Sequence, residues 1–195
     1  MRNVAWGSHS RAHLLPPATA LATLRSPPES LRYRSLRMAL RPEDEGHLVT
    51  AIELARRSRE KGNHPFGSLL VDPDGKVVLE AENTVVTERD CTGHAELNLV
   101  RAACGRHSPQ FLHGCTLYTS TEPCAMCAGA IYWSGIGRVV FALSSETLQR
   151  IVNDEEGDST LALPCRALFA RGGRRVEVRG PILEDQARKV HQGFW

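Results

Sequence analysis

From residue 48 onward the chain switches between two hydrophobic rhythms. In HLVTAIELARRSREKG, apolar residues at 48, 49, 52 and 55 recur at a helical spacing, and Gly62 closes the segment. FGSLLVD and KVVLEAEN are short apolar runs separated by turn residues over Asp72–Gly75, which predicts two strands joined by a tight turn. HAELNLVRAACGRH returns to helical spacing, with Leu97, Val100 and Ala103 or Cys104 on one face. GCTLYTS reads as a short buried strand, CAMCAGAIYWSG as a buried helix stopped at Gly135, and RVVFAL as a strand. SETLQRIV predicts a helix, RRVEVRG a strand and LEDQARKVHQGFW a closing helix, while NDEEGDSTLALP reads as an irregular loop. Helices alternating with strands imply a sheet between helical layers, and the opening hairpin makes that sheet mixed.

Composition narrows the setting. The 195 residues are 42% hydrophobic and 24% charged, the balance of one water-soluble globular domain, and no apolar run approaches the roughly 20 residues that span a bilayer. The formal charge of +2 is uneven: residues 1–37 carry six arginines and a single acid, Glu29, which leaves the remainder at −3. A mildly acidic body gives nucleic acid no global footprint to bind. Residues 1–40 hold Pro16, Pro17, Pro27 and Pro28, several serines and no sustained period, so the folded domain is expected over 41–195. The tail reads as a disordered extension or an over-extended start ahead of Met38. Its acid-poor, arginine-bearing composition also fits an organellar transit peptide. Arginine outnumbers lysine 21 to 3 along the whole chain, however, so arginine richness there is partly background. The six cysteines follow no disulfide framework and no secretory signal precedes them, so a reducing, cytoplasmic setting is expected.

Three side chains stand out as chemistry. His94 opens one predicted helix, and Cys124 and Cys127 open the next. Imidazole and thiolate are donors that zinc prefers, and three protein ligands with a fourth position open are the mark of a catalytic rather than a structural site. A zinc ion with two thiolates and a neutral imidazole has no net charge and is a weaker Lewis acid than one held by three histidines. The attacking water then needs a base, and Glu96 is the carboxylate at hand. On an ideal helix positions 94 and 96 diverge, at about 100° per residue, so the pair is expected at the first turn, where Glu96 can reach back. A lone CxxC is more often redox or structural, and a lone HxE means little. Together, HxE at one helix start and PCxxC at the next, with a strand between, are identified as the signature of zinc deaminases.

At these residues the chain resembles the cytidine-deaminase-like superfamily, in particular its cytosine, guanine and tRNA-adenosine deaminase branch. PFGSLLVD is similar to the family's first strand, TSTEPCAMCAGAI to its zinc segment, and Asn83 stands eleven residues before His94, as the substrate-binding asparagine does in the family. The resemblance implies a three-layer α/β/α sandwich with a five-stranded mixed sheet. It implies zinc at His94, Cys124 and Cys127, and hydrolytic deamination in which water replaces a ring amino group and ammonia leaves. Glu96 would protonate a ring nitrogen and then the departing amine. Substrate contacts are expected from Asn83, the backbone N–H of Ala95, Phe66 and Trp133, with a backbone N–H at Cys124 nearby. A homodimer or higher homo-oligomer is also implied.

Several substrates stay open. AIYWS after the zinc cysteines is similar to guanine deaminases and favours a free, guanine-like base, with cytosine or a triazine analogue next. AGAIYWSGIGRVVFAL is similar to tRNA-specific adenosine deaminases, against which stands the acidic body. A nucleoside deaminase or a catalytically silent subunit are further alternatives; the first lacks an obvious phosphate grip for nucleotides, and Glu96 weighs against the second. RGGRRVEVR is the one dense basic stretch and reads as a solvated strand edge. The guanine-deaminase-like FDD motif is missing. Phe194 and Trp195 either close a pocket or pack the last helix on the sheet, and His64 and His191 are expected to be non-ligands.

Overall fold

The computed structural model describes residues 41–156, 161 and 163–195; the expected tail over 1–40 lies outside them. The described residues form one compact unit. Its elements are α1 (Asp44–Glu60), β1 (Gly67–Val71), β2 (Val77–Glu82), α2 (Val85–Glu88), α3 (Ala95–Cys104), α4 (Pro109–Gly114), β3 (Thr116–Thr121), α5 (Ala125–Ser134), β4 (Arg138–Leu143), α6 (Ser145–Glu156), α7 (Cys165–Phe169), β5 (Glu177–Arg179) and α8 (Glu184–His191).

The five strands form one mixed sheet in the order β2-β1-β3-β4-β5. β1 runs antiparallel to β2 and β3, whereas β3, β4 and β5 are parallel. The inner strands β1, β3 and β4 are buried along their whole length, and edge strand β2 alternates between half-buried and exposed. Successive side chains point to opposite faces of a strand, and this divides the core in two. Leu70, Leu117, Val139 and Phe141 pack with Leu99 of α3 and Ile131 of α5. Their neighbours Leu69, Tyr118, Val140 and Ala142 pack with Leu48 and Leu54 of α1 and Ala187 of α8. The result is the three-layer α/β/α sandwich with a five-stranded mixed sheet.

The hairpin turn forms as expected: Asp72 Oδ1 accepts from the N–H groups of Asp74 and Lys76 at 3.0 and 2.9 Å, and Gly75 has φ +83°. Gly135, at φ +91°, ends α5. Gly67 starts β1 so close to α1 that a Cβ would lie 2.4 Å from Leu54 Cβ and 2.6 Å from Ala51 O. Only glycine permits that approach, and it seats the amino-terminal end of β1 against α1.

Several elements differ from the sequence expectation. α1 begins at Asp44, and the short helices α2, α4 and α7 were not anticipated. α4 carried a readable signal, since Ser108 caps it by accepting from Phe111 N at 3.3 Å and Pro109 opens it. The acidic stretch expected to be irregular begins inside α6, which runs to Glu156. α8 stops at His191, leaving Phe194 and Trp195 outside the helix. β5 spans only three residues of RRVEVRG. Among the described residues no helix is long and apolar enough to cross a membrane.

Candidate active site

The site gathers at the carboxyl ends of β3 and β4. β3 leads through Glu122 and Pro123 into Cys124, the N-cap of α5. His94 is the N-cap of α3, with φ −70° and ψ 144°. That extended backbone resolves the angular difficulty between His94 and Glu96, because His94 stands outside the helix and the helical rotation does not relate the two.

Cys124 Sγ and Cys127 Sγ each lie 3.6 Å from His94 Nδ1, and the three ligand atoms fall within 4.8 Å of one another. Zinc legs of about 2.0–2.1 Å to nitrogen and about 2.3 Å to sulfur, meeting at the tetrahedral angle, place those atoms about 3.6 Å apart. The donor set and its spacing therefore fit zinc. Among the described residues this is the one cluster of three or more histidine, cysteine or acidic side chains able to hold a metal ion. His64 and His191 belong to no such cluster.

The local charges suit a cation. A hydrogen bond from the Cys127 thiol, aided by His94, pulls the Cys124 thiol down to about 4 despite burial. The Cys127 thiol is pushed up, first by that same shared bond and then by burial. With no cation the two sulfurs thus share one proton. The bond to Cys124 also raises the His94 imidazole.

Glu96, 5% exposed, sits in the first turn of α3. Thr119 Oγ1 donates to its Oε1 at 2.9 Å. Burial pushes the Glu96 carboxyl up and the nearby Cys124 thiolate adds to that, while its own backbone N–H, His94 and the Thr119 hydroxyl act in the opposite direction. A carboxyl raised in this way can take a proton and return it.

Asn83 is fully buried after β2. Its Oδ1 accepts from Val85 N at 3.0 Å, and its Nδ2 is buried without a partner. Its backbone N–H donates to Phe66 O at 3.1 Å, and Thr84 N donates to Gly93 O at 2.8 Å, so this segment leads directly to His94. Ala95 is buried at the first position of α3, where helix N–H groups have no partner within the helix. Phe66 is half-buried and meets His191 and Trp195, with ring centroids 5.4 and 6.2 Å away. Trp133 is not brought into this group. It lies nine residues along α5 from Cys124, roughly 13 Å at about 1.5 Å per residue, and is 85% exposed, edge-on to Tyr132.

Two residues escaped the sequence reading. Thr119 shares a strand face with apolar Leu117, and a polar side chain on that buried face was the available signal. Glu122 accepts from Ser145 N and Oγ at 3.1 and 2.8 Å and from Cys165 N at 3.1 Å. It ties the amino ends of α6 and α7 to the Pro123–Cys124 loop. A cavity of about 390 Å³ lies here, walled by Cys124, Glu122, Ser145, Leu148, Gln149 and Leu163 among others.

Comparison with known proteins agrees with this geometry. Residues 41–143 match the family model of the cytidine and deoxycytidylate deaminase zinc-binding region. The chain is 40% identical over 156 residues to a probable cytosine deaminase of Schizosaccharomyces pombe, covering 80% of this chain and 94% of that one. It is 36% identical over 159 residues to a tRNA-specific adenosine deaminase of Bacillus subtilis, covering 78% and 89% of the two chains. Among solved structures, a guanine deaminase from Nitrosomonas europaea superposes with a TM-score of 0.64 at 26% identity, over 81% of this chain and 86% of that one.

Proposed function

The chain belongs to the cytidine and deoxycytidylate deaminase zinc-binding family and is a zinc-dependent hydrolytic deaminase; we propose that it acts on a free nucleobase of the cytosine or guanine kind. The observation that carries this reading is the buried Glu96, bonded to Thr119 beside the His94, Cys124 and Cys127 cluster, with the unpartnered Nδ2 of Asn83 eleven residues before His94.

His94, Cys124 and Cys127 would hold the zinc, which when bound supplies a Lewis acid that makes water more acidic. Glu96 takes one proton of the attacking water and delivers it to the ring nitrogen beside the amino-bearing carbon, then takes the remaining proton from the added hydroxyl and gives it to the departing amine. Water adds its oxygen to the ring, ammonia leaves, and a carbonyl replaces the amino group. Thr119 holds the Glu96 carboxylate in one orientation through this proton traffic. Asn83 Nδ2 offers a donor to a substrate acceptor, and the Ala95 N–H, at the positive end of α3, offers another. Burial keeps competing water from these bonds.

The near full-length match to a probable cytosine deaminase supports a small heterocycle, with a guanine-like base the other leading substrate. An RNA substrate is the second reading, favoured by the likeness to a tRNA-specific adenosine deaminase. Against it stands the net charge of −3 over residues 38–195. We further propose a homodimer or higher homo-oligomer. Trp133, so exposed here, would serve a substrate pocket only across such a contact, and sedimentation of the wild type and Trp133→Ser would test this. The substrate test is ammonia release by zinc-loaded protein from cytosine, guanine, a triazine analogue, their nucleosides and an adenosine-bearing tRNA anticodon stem-loop. Turnover confined to free bases supports the proposal; turnover confined to the stem-loop overturns it.

A further inference from the structure

We propose that His191 and Trp195 read the carbonyl-bearing edge of the substrate heterocycle, an assignment that rests on the free-base reading above. His191, at the end of α8, is 1% exposed, and neither of its ring nitrogens has a hydrogen-bond partner. Trp195 Nε1 is likewise buried and unpartnered, as is Asn83 Nδ2. Buried polar groups in folded proteins are hydrogen-bonded in the great majority of cases, and an unmade bond there is costly.

These orphaned nitrogens belong to one connected group. The His191 and Trp195 rings lie nearly parallel, 7° apart with centroids separated by 6.1 Å. Phe66 meets both, and its carbonyl accepts from Asn83 N. Ser58 Oγ donates to both His64 O and Asn83 O, which fixes the backbone on either side of Phe66. Arg59 holds the far end by donating to Val190 O at 2.7 Å and to Gln192 O at 2.9 Å, with its guanidinium over the Phe194 ring. Packing α8 against α1 would be served as well by phenylalanine at both positions, with no bond left unmade. Two nitrogen heterocycles stand there instead, against Phe66, whose carbonyl is bonded to the Asn83 end of the segment leading to Gly93 and His94.

Their chemistry defines what would satisfy them. Asn83 Nδ2 and Trp195 Nε1 can only donate, whereas a neutral imidazole offers one donor and one acceptor. Burial, with Arg59 nearby, keeps His191 neutral by pulling its pKa down to about 4. The set calls for a ligand with three acceptor lone pairs and one N–H, which a ring carbonyl, an unprotonated ring nitrogen and a ring N–H supply. Cytosine and guanine carry that pattern. Adenine has an amino group but no carbonyl and would leave donors unpaired. None of these nitrogens touches solvent in the structure, so under this proposal the Trp195 indole must move aside as the heterocycle enters.

The experiment compares zinc-loaded wild type, His191→Phe and Trp195→Phe on whichever free base the wild type deaminates, together with the melting temperature of each without substrate. Both variants should retain zinc. The ligand-free melting temperature should rise, because unmade bonds are removed, and KM should rise at least about tenfold more than kcat falls. A structural histidine would give a lower melting temperature and an unchanged KM. Unchanged KM in both variants overturns the inference; if one variant fails to fold, the other decides. Absence of free-base turnover by the wild type overturns the free-base reading, and this inference with it.

Discussion

Thr119 Oγ1 donates to Glu96 Oε1 at 2.9 Å inside the protein, joining the middle of the sheet to the first turn of α3. This bond leaves the second carboxylate oxygen as the one available for proton transfer. Ser68 Oγ in turn donates to Thr119 Oγ1 at 3.1 Å, so the hydroxyl is itself held by β1. Glu96, the proposed proton carrier, is thereby anchored to the central strands β1 and β3, while His94 and Cys124 stand on helix caps and Cys127 in the first turn of α5.

Thr119→Val should therefore lower kcat by about 10- to 100-fold with zinc content unchanged, since it leaves a buried carboxylate oxygen without its donor. Thr119→Ser should recover most of the loss. Steady-state kinetics with metal analysis checks this, and a full-rate valine variant would remove Thr119 from the mechanism.

Cys124→Ala should abolish stoichiometric zinc binding. In the wild type, the proton shared by Cys124 and Cys127 must leave when metal enters, because the Cys127 thiol, held high by its bond to Cys124 and by burial, is protonated at neutral pH. Titration calorimetry of metal-free protein in buffers of differing ionisation enthalpy should show proton release. Buffer-independent heats would contradict the shared proton.

At the opposite end of the sheet, Asp44 receives Arg138 through both guanidinium Nη groups at 2.8 and 2.7 Å and the Tyr118 hydroxyl at 2.7 Å. Removing the charge of one partner from a buried pair strands the other, so Asp44→Asn should cost about 3–5 kcal/mol in denaturant unfolding. Burial alone would raise the Asp44 carboxyl, but Arg138, Tyr118 and the Arg41 N–H outweigh it and hold it below the usual value. Its contribution is complete above the ordinary carboxylate pKa of about 4 and disappears as pH falls through the lower folded value. The variant should lose that part of the acid sensitivity.

His191 titrates in a different window. Its folded pKa lies near 4 against an unfolded value of about 6.5, so the unfolded chain takes up a proton first as pH falls. The stability it contributes is complete above about 6.5 and is lost progressively toward 4, by about 3 kcal/mol at most. The rings against it are Phe66 and Trp195, and the nearby Arg59 opposes protonation. Melting curves at pH 7 and pH 5 should separate more in the wild type than in His191→Phe; equal separation would count against a buried neutral imidazole.

What the sequence disclosed follows from how local each feature is. His94, Cys124 and Cys127 could be read because the cluster depends on two helix starts and one strand length. β1 and β4 could be read because they are buried on both faces and so largely apolar, whereas β3, equally buried, was marked by Leu117 and Tyr118 among threonines and a serine. Glu96 was named from the sequence, but its reach rests on the extended backbone of His94, which spacing does not reveal. Thr119 and Glu122 act through partners 23 or more residues away, and no local pattern marks them. The aromatic group of Phe66, His191 and Trp195 likewise joins the start of β1 to the far end of the chain. Trp133 shows the reverse case. A motif-like position after the cysteines suggested a pocket wall, yet the helix turns it outward.

The account rests most directly on Glu96 as the proton carrier beside a zinc ion. Ammonia release from the preferred base, measured for zinc-loaded wild type and Glu96→Gln with metal content and melting temperature on the same samples, tests it. The glutamine variant should keep its zinc and its fold and lose turnover by at least about 100-fold. Turnover within tenfold of the wild type, with zinc bound, would contradict the account.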